Sequence, residues 1–105
     1  MQREENRDEP RYVISVAARM VGVRTHTLRY YEKIGIMEPS RSTGNIRLYS
    51  DREVNRLKRI KSLMDDLGIS LAGAEIILRM ADRMAELQHE VQELEARLHE
   101  LQESD

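Results

Sequence analysis

The chain has 105 residues, of which 40% are hydrophobic and 34% are charged, and it contains no Cys. This length fits one small domain with an appended element and excludes a barrel enzyme or a doubly wound nucleotide-binding fold with a substrate domain. The lack of Cys excludes disulfide scaffolds, thiol catalysis and thiolate metal sites. With no apolar stretch near the ~20 residues of a membrane span and no signal-peptide pattern, we expect a cytoplasmic protein.

The charge is unevenly distributed along the chain, although the net charge is only −2. Residues 11–61 carry twelve Lys and Arg against four Asp and Glu, a net charge of +8. Residues 62–105 carry three Arg against eleven acids, a net charge of −8. A basic half joined to an acidic half predicts a polyanion-binding module with a second element of another kind. The alternative is a solvated surface whose charge excess is accidental.

The first half of the chain predicts a helix-turn-helix after a polar arm. Residues 1–11 are polar and mixed in charge, which predicts a flexible arm. Ser15 is a candidate N-cap for a short helix that Gly22 ends, and a second helix is expected over residues 24–34 before Gly35. Two short helices joined by a turn that contains Gly are typical of this motif.

A small β-hairpin, which we call the wing, is predicted over residues 36–49, where turn-forming residues separate short alternating runs. Ser50 and Glu53 have the S-x-x-E spacing of a capping box and predict the start of a third helix. Gly68 is expected to end that helix, and Ser70 to cap the next one.

Apolar residues spaced 4, 3, 4, 3, 4, 3 define the seam of a heptad repeat over residues 80–103. Nearly every other residue of this stretch is polar. So narrow a seam predicts a coiled coil with a second chain, whereas a helix packed along its own domain usually has a wider apolar face. The predicted dimerisation residues are Met80, Met84, Leu87, Val91, Leu94, Leu98 and Leu101.

The charges beside the seam favour an antiparallel coiled coil. In a parallel pair, Glu90 would face the partner's Glu95 twice. In an antiparallel pair that sets Val91 against the partner's Leu94, Glu90 instead lies near the partner's Arg97. Each exposed pair contributes only ~0.2–1 kcal/mol. The contact is attractive in the antiparallel arrangement and repulsive in the parallel one, so it favours the antiparallel arrangement.

The second predicted helix presents a basic, hydrogen-bonding face that suits DNA. Arg and Tyr side chains can reach base edges or phosphates, and a helix N-terminus favours phosphate. The alternative is an ordinary exposed helix face. The candidate DNA-binding residues on this helix are Arg24, Thr25, His26, Thr27, Arg29, Tyr30 and Lys33.

The wing and the helix after it supply further candidate DNA contacts. A basic hairpin beside a recognition helix can lie along the DNA backbone or enter the minor groove. Tyr49 is a candidate phosphate donor, with half-buried packing as its alternative. The full set in this region is Arg41, Thr43, Asn45, Arg47, Tyr49 and Lys61.

Several strings of this chain resemble the signature of the MerR family over roughly residues 12–80. They are Thr27-Leu28-Arg29-Tyr30-Tyr31-Glu32-Lys33-Ile34-Gly35-Ile36, Pro39-x-Arg41, Gly44-Asn45-x-Arg47-x-Tyr49-Ser50 and Leu67-Gly68-Ile69-Ser70-Leu71. The resemblance implies a mainly α fold, with a winged helix-turn-helix DNA-binding domain over residues 12–79 and an antiparallel coiled-coil dimer over residues 80–103. It also implies a nucleoid-associated protein of the bacterial cytoplasm.

Within the MerR family, Tyr12–Ala18 and Leu71–Leu78 are similar to heat-shock repressors of the HspR type. This similarity implies a homodimeric repressor of heat-shock and chaperone genes that binds an inverted repeat, with the chaperone DnaK as co-repressor. The family's glutamine-metabolism regulators also carry an Ala-Gly segment here. A MerR-type activator, a nitrogen-type regulator and a coiled-coil interaction module therefore stay open as alternatives.

The sequence predicts neither an enzyme nor a cofactor or metal site. It contains no Ser/His/Asp set and no phosphate-binding loop, and its three His are not at metal-ligand spacing. Drug sensors of the MerR family carry a large ligand domain beyond the coiled coil, whereas the given chain ends four residues after Leu101. We therefore expect any regulatory signal to come from a partner protein, from temperature or from dimer dissociation.

Overall fold

The computed structural model describes residues 6–104, which form three short strands and four helices. These elements are β1 (Pro10–Val13), α1 (Ile14–Val21), α2 (Thr25–Lys33), β2 (Ser40–Arg41), β3 (Arg47–Ser50), α3 (Asp51–Leu67) and α4 (Leu71–Glu103). The chain divides into two compact units that meet between Ile69 and Ser70. The first unit holds the helix-turn-helix and the wing, and the second is α4.

The helix-turn-helix forms where the sequence predicts it, but one predicted cap is wrong. Val13 is the N-cap of α1 and no side chain caps this helix, so Ser15 lies inside the first turn. Gly22 ends α1 with φ +90° and donates its amide to the Ala18 carbonyl over 2.8 Å. Only glycine adopts this left-handed conformation without strain, which is why the turn into α2 begins here.

The three strands form one antiparallel sheet in the order β1-β3-β2. The hairpin of β2 and β3 confirms the predicted wing, whereas β1 was not predicted. Its pairing with β3 corrects the predicted arm of residues 1–11, because Pro10 and Arg11 belong to a strand. Asp8, in the preceding turn, also forms an ion pair with Arg52 at 2.5 Å. Residues 1–5 of the predicted arm lie outside the described residues.

The core of the first unit lies between α1, α2, α3 and β3. The predicted capping box is confirmed: Ser50 accepts from the Glu53 amide at 3.1 Å, and the Glu53 carboxylate accepts from the Ser50 amide at 2.9 Å. Burial of the inner faces of the helices leaves the opposite face of α2 in solvent. The buried apolar side chains of this unit are Ala17, Ala18, Val21, Leu28, Tyr31, Tyr49, Val54, Leu57 and Ile60.

The second unit is a single helix of 33 residues, about 50 Å long at 1.5 Å per residue. Ser70 caps it by accepting from the Gly73 amide at 3.1 Å, which confirms the predicted cap. The helix is continuous through residues 79 and 80, where the sequence predicts a domain boundary. The division into two compact units falls between Ile69 and Ser70, and the boundary at residues 79 and 80 stays a prediction.

Candidate nucleic-acid interface

The outer face of α2 is exposed because the opposite face packs into the core. Leu28 is 0% exposed and Tyr31 is 8% exposed. On the other side the four side chains at the predicted i, i+3, i+4, i+7 spacing, namely His26, Arg29, Tyr30 and Lys33, are all exposed. The structure therefore brings this predicted set together on one solvent-facing surface, which we call the α2 face.

The cations at and near the α2 face have no ion-pair partner among residues 6–104. In the part of the chain that the structure describes, no ion pair engages Arg24, Arg29 or Lys33. Arg24 is the N-cap of α2, its side chain makes no cap hydrogen bond, and the first turn holds no acidic residue. Free amides and unpaired cations at a helix N-terminus are suited to phosphate.

The tip of the wing is a tight turn held by Ser42. The Asn45 amide donates to the Ser42 carbonyl at 2.8 Å, and the Ser42 hydroxyl accepts from the amides of Gly44 and Ile46 at 3.2 Å each. Asn45 takes φ +63°, a left-handed conformation that Asn tolerates better than most residues. The predicted contacts Thr43 and Asn45 are thus exposed at the outermost part of the wing.

The two wing arginines are bound to an acidic residue that the prediction left aside. Arg47 Nε donates to Glu32 Oε1 at 2.6 Å, and Arg41 Nη2 donates to Glu32 Oε2 at 2.9 Å. These bonds lower the pKa of Glu32, with the bond from Arg47 as the largest cause. Spacing alone could not reveal this, because the partners lie 15 and 9 residues away in the chain.

Two of the predicted DNA-binding residues have other surroundings in the fold: Tyr49 lies in the core, and Lys61 forms an ion pair with Asp65. Tyr49 is 0% exposed and belongs to the core, so its prediction as a phosphate donor is wrong and its packing alternative is correct. Lys61 lies beside the turn of the helix-turn-helix, where its Cε would be 3.5 Å from a Cβ added at Gly22. Its ammonium pairs with Asp65 at 2.6 Å, and this hydrogen bond raises the pKa of Lys61.

The predicted dimerisation seam runs along α4 with its apolar side chains in solvent. All seven seam residues are 43–68% exposed in the single chain. Side-chain contacts along the helix, such as His89 Nε2 with Glu93 Oε2 and His99 Nε2 with Glu103 Oε2 at 3.1 Å each, do not involve the seam residues. Over residues 6–104, no ion pair engages Glu90 or Arg97, which flank the seam.

The described part of the chain holds neither a candidate membrane span nor a candidate metal cluster. No helix among them is long and apolar enough to cross a membrane. Nor do residues 6–104 contain a group of three or more His, Cys, Asp or Glu side chains that could hold a metal ion.

A family model, described as the MerR helix-turn-helix family regulatory protein, matches residues 12–81, which include the whole of the helix-turn-helix and the wing. The chain belongs to the MerR family. This MerR-family protein is 42% identical over 95 residues to a candidate heat shock protein HspR from Streptomyces coelicolor, covering 90% of this chain and 63% of that protein. It is 32% identical over 84 residues to the transcriptional regulator GlnR of Bacillus anthracis, covering 80% and 64% of the two chains.

The fold agrees with a solved structure of the same family. A MerR-family transcriptional regulator from Bacillus cereus superimposes with a TM-score of 0.60 at 30% sequence identity, covering 82% of this chain and 69% of that chain. The present chain spans less than two thirds of the length of the HspR and GlnR relatives, 63% and 64% respectively.

Proposed function

We propose that this MerR-family protein is a homodimeric repressor that binds double-stranded DNA at an inverted repeat. The observation that carries the proposal is the α2 face, on the second helix of a helix-turn-helix, where exposed cations have no ion-pair partner in the described part of the chain. In such motifs the second helix enters the major groove and its N-terminal residues contact base edges. The wing, with its basic strands and exposed tip, lies beside it and follows the DNA backbone.

The proposed contacts divide by chemistry. Arg29 and Tyr30 sit in the middle of the α2 face and read base edges, since Arg can donate two parallel bonds to guanine. Arg24 and the free amides of the first turn bind phosphate, as does Lys33. Thr43 and Asn45 contact the backbone from the wing tip.

Dimerisation through the seam of α4 supplies the two-fold symmetry that an inverted repeat requires. The seam presents seven half-exposed apolar side chains on one stripe of the helix. Burying them against a second copy stabilises the dimer by about 25 cal/mol per Å² of apolar surface removed from water. Glu90 has no ion-pair partner within residues 6–104 of its own chain. In the antiparallel register that sets Val91 against the partner's Leu94, it approaches the partner's Arg97 at two symmetric places. We therefore propose the antiparallel dimer.

The proposed targets are heat-shock and chaperone genes, with the chaperone DnaK as co-repressor. Support comes from the similarity to the HspR relative, which is higher in identity and covers more of this chain than the similarity to GlnR. The experiment is to map the bound sites of the full chain across the genome of its native cell. Bound sites upstream of chaperone genes support the proposal if transcription of those genes rises when the gene for this protein is deleted. Bound sites upstream of nitrogen-metabolism genes, or a fall in transcription of the target genes after that deletion, contradict it.

The DNA-binding step is tested with purified protein. Duplexes that bind the full chain are selected from a randomised pool. The affinity of the chain for one selected duplex is then measured at a series of salt concentrations. Several phosphate contacts predict a steep linear fall of log K with log salt, with a slope of about −0.9 per contact. A flat slope would instead favour a coiled-coil interaction module with an incidental basic face.

The co-repressor step has its own test. Purified DnaK is added to the complex of the chain with its selected duplex. A tighter complex in the presence of DnaK supports the proposal, whereas unchanged affinity at saturating DnaK removes DnaK as a partner.

A further inference from the structure

One carboxylate joins α2 to both strands of the wing. Glu32 is the penultimate residue of α2, and its two oxygens accept from Arg47 Nε at 2.6 Å and from Arg41 Nη2 at 2.9 Å. The side chains of Glu32 and Arg47 are only 21% and 28% exposed. Partial burial reduces screening by solvent, so these bonds hold their geometry better than ion pairs on an open surface.

The strand register explains why a carboxylate is needed at this place. Arg41 of β2 and Arg47 of β3 are direct partners across the hairpin. Like charges directly opposite each other on paired strands destabilise the pairing. Glu32 gives one oxygen to each guanidinium and so compensates this repulsion, and the same contacts lower its pKa.

The wing has few other contacts that could fix the two arginines. Strand β2 is only two residues long, so the ladder with β3 is short. Beyond it, Arg41 Nη1 donates to the Asn45 carbonyl at a long 3.5 Å. A guanidinium has five N–H donors, and the bonds to Glu32 and Asn45 leave the remaining donors of Arg41 and Arg47 for other acceptors.

We infer that Glu32 is a positioning residue for DNA binding, which holds Arg41 and Arg47 of the wing in a fixed place relative to α2. The inference rests on the proposed DNA-binding function. It runs against simple electrostatics, because a carboxylate on a surface that meets a polyanion repels it. If Glu32 positions the wing, removing its charge weakens DNA binding. If Glu32 only repels DNA, removing its charge tightens DNA binding.

The first experiment measures the affinity of the full chain for its selected duplex. Glu32→Gln leaves one amide oxygen for two guanidinium groups, and we expect about tenfold weaker binding or more. Glu32→Asp keeps the charge but shortens the side chain, and it also weakens binding. The matched control is Glu38→Gln, which removes an exposed carboxylate six residues further along the chain and leaves affinity unchanged or slightly higher. Wild-type or tighter binding by Glu32→Gln overturns the inference.

The second experiment separates positioning from loss of the fold. In the Arg41→Gln/Arg47→Gln background Glu32 has nothing left to hold, so only its repulsion of DNA remains. Glu32→Gln should then tighten binding, which reverses its effect in the wild-type background. A structural defect weakens binding in both backgrounds and overturns the inference. Circular dichroism checks that each variant is folded. If Glu32→Gln does not fold, Glu32→Ala takes its place, because it also removes the charge that Glu32→Asp would keep.

The third experiment needs no DNA. Hydrogen exchange is followed at the amides of Ser42, Asn45 and Ile46, which are hydrogen-bonded within the wing. Glu32→Gln should speed their exchange while the amides of α3 keep their protection. Unchanged exchange in the wing overturns the inference. If the wild-type chain binds no duplex, the proposed function fails, yet this measurement still decides whether Glu32 positions the wing.

Discussion

Tyr49 is buried in the core of the first unit together with its hydroxyl group. Its side chain is 0% exposed, and within residues 6–104 its Oη atom has no hydrogen-bond partner. Burial is also the largest cause of its raised pKa, because the phenolate would lose its hydration. Buried polar atoms are nearly always hydrogen-bonded, so this hydroxyl costs stability.

Tyr49→Phe should therefore stabilise the first unit. An unpaired buried hydroxyl costs ~1–3 kcal/mol, whereas the phenyl ring keeps every carbon contact of the tyrosine. The void left by one oxygen atom, at about 24 cal/mol per Å³, offsets a few tenths of a kcal/mol of that gain. We expect a net increase of about 1 kcal/mol in the free energy of unfolding, which raises Tm by ~4–8 °C for a domain of this size.

The assay is thermal and urea unfolding of both chains at one protein concentration, because the stability of a dimer depends on concentration. Tyr30→Phe is the matched control: Tyr30 is 53% exposed, so its hydroxyl is hydrated and its loss leaves Tm unchanged. Tyr49→Phe should keep its affinity for the selected duplex, whereas Tyr30→Phe should lose affinity. A loss of 1 kcal/mol or more in Tyr49→Phe would show that the hydroxyl is satisfied, and the reasoning would fail.

Three further predictions follow from the α2 face, the seam and the wing. Arg29→Ala should weaken specific DNA binding by ~1–3 kcal/mol with an unchanged circular dichroism spectrum; equal affinity for the selected duplex would remove Arg29 from the interface. Leu94→Asp should yield monomers in sedimentation and abolish footprinting of both half-sites, whereas the off-seam control Gln92→Asp stays dimeric; a Leu94→Asp monomer that protects both half-sites would refute the role of the coil. The lowered pKa of Glu32 means that its pairing contributes stability above the ordinary value of 4.5, which is lost as the pH falls through the lowered value. The fall in urea midpoint from neutral to acidic pH should be smaller in Glu32→Gln than in the wild type, and an equal fall would contradict that pairing.

Features that depend on neighbours within one or two turns could be predicted from the sequence. Gly22 and Gly68 end helices in left-handed conformations, and the capping box of Ser50 and Glu53 forms as its spacing predicts. The α2 face follows from a 3.6-residue period, and the seam from a heptad period. These patterns need only the local backbone geometry, so no knowledge of the remaining chain was required.

Features that join distant segments were decided by the tertiary structure alone. Strand β1 is a strand only because β3 lies beside it, and the Tyr12 hydroxyl reaches Asp51 across 39 residues. The alternation of a short strand does not say which of its two faces is buried, so the sequence left Tyr49 open between a phosphate donor and half-buried packing. Glu32 looked like an isolated acid on a basic helix until folding brought both wing arginines to its carboxylate. Such contacts form only after loop closure has placed the segments side by side, which no local pattern of residues encodes.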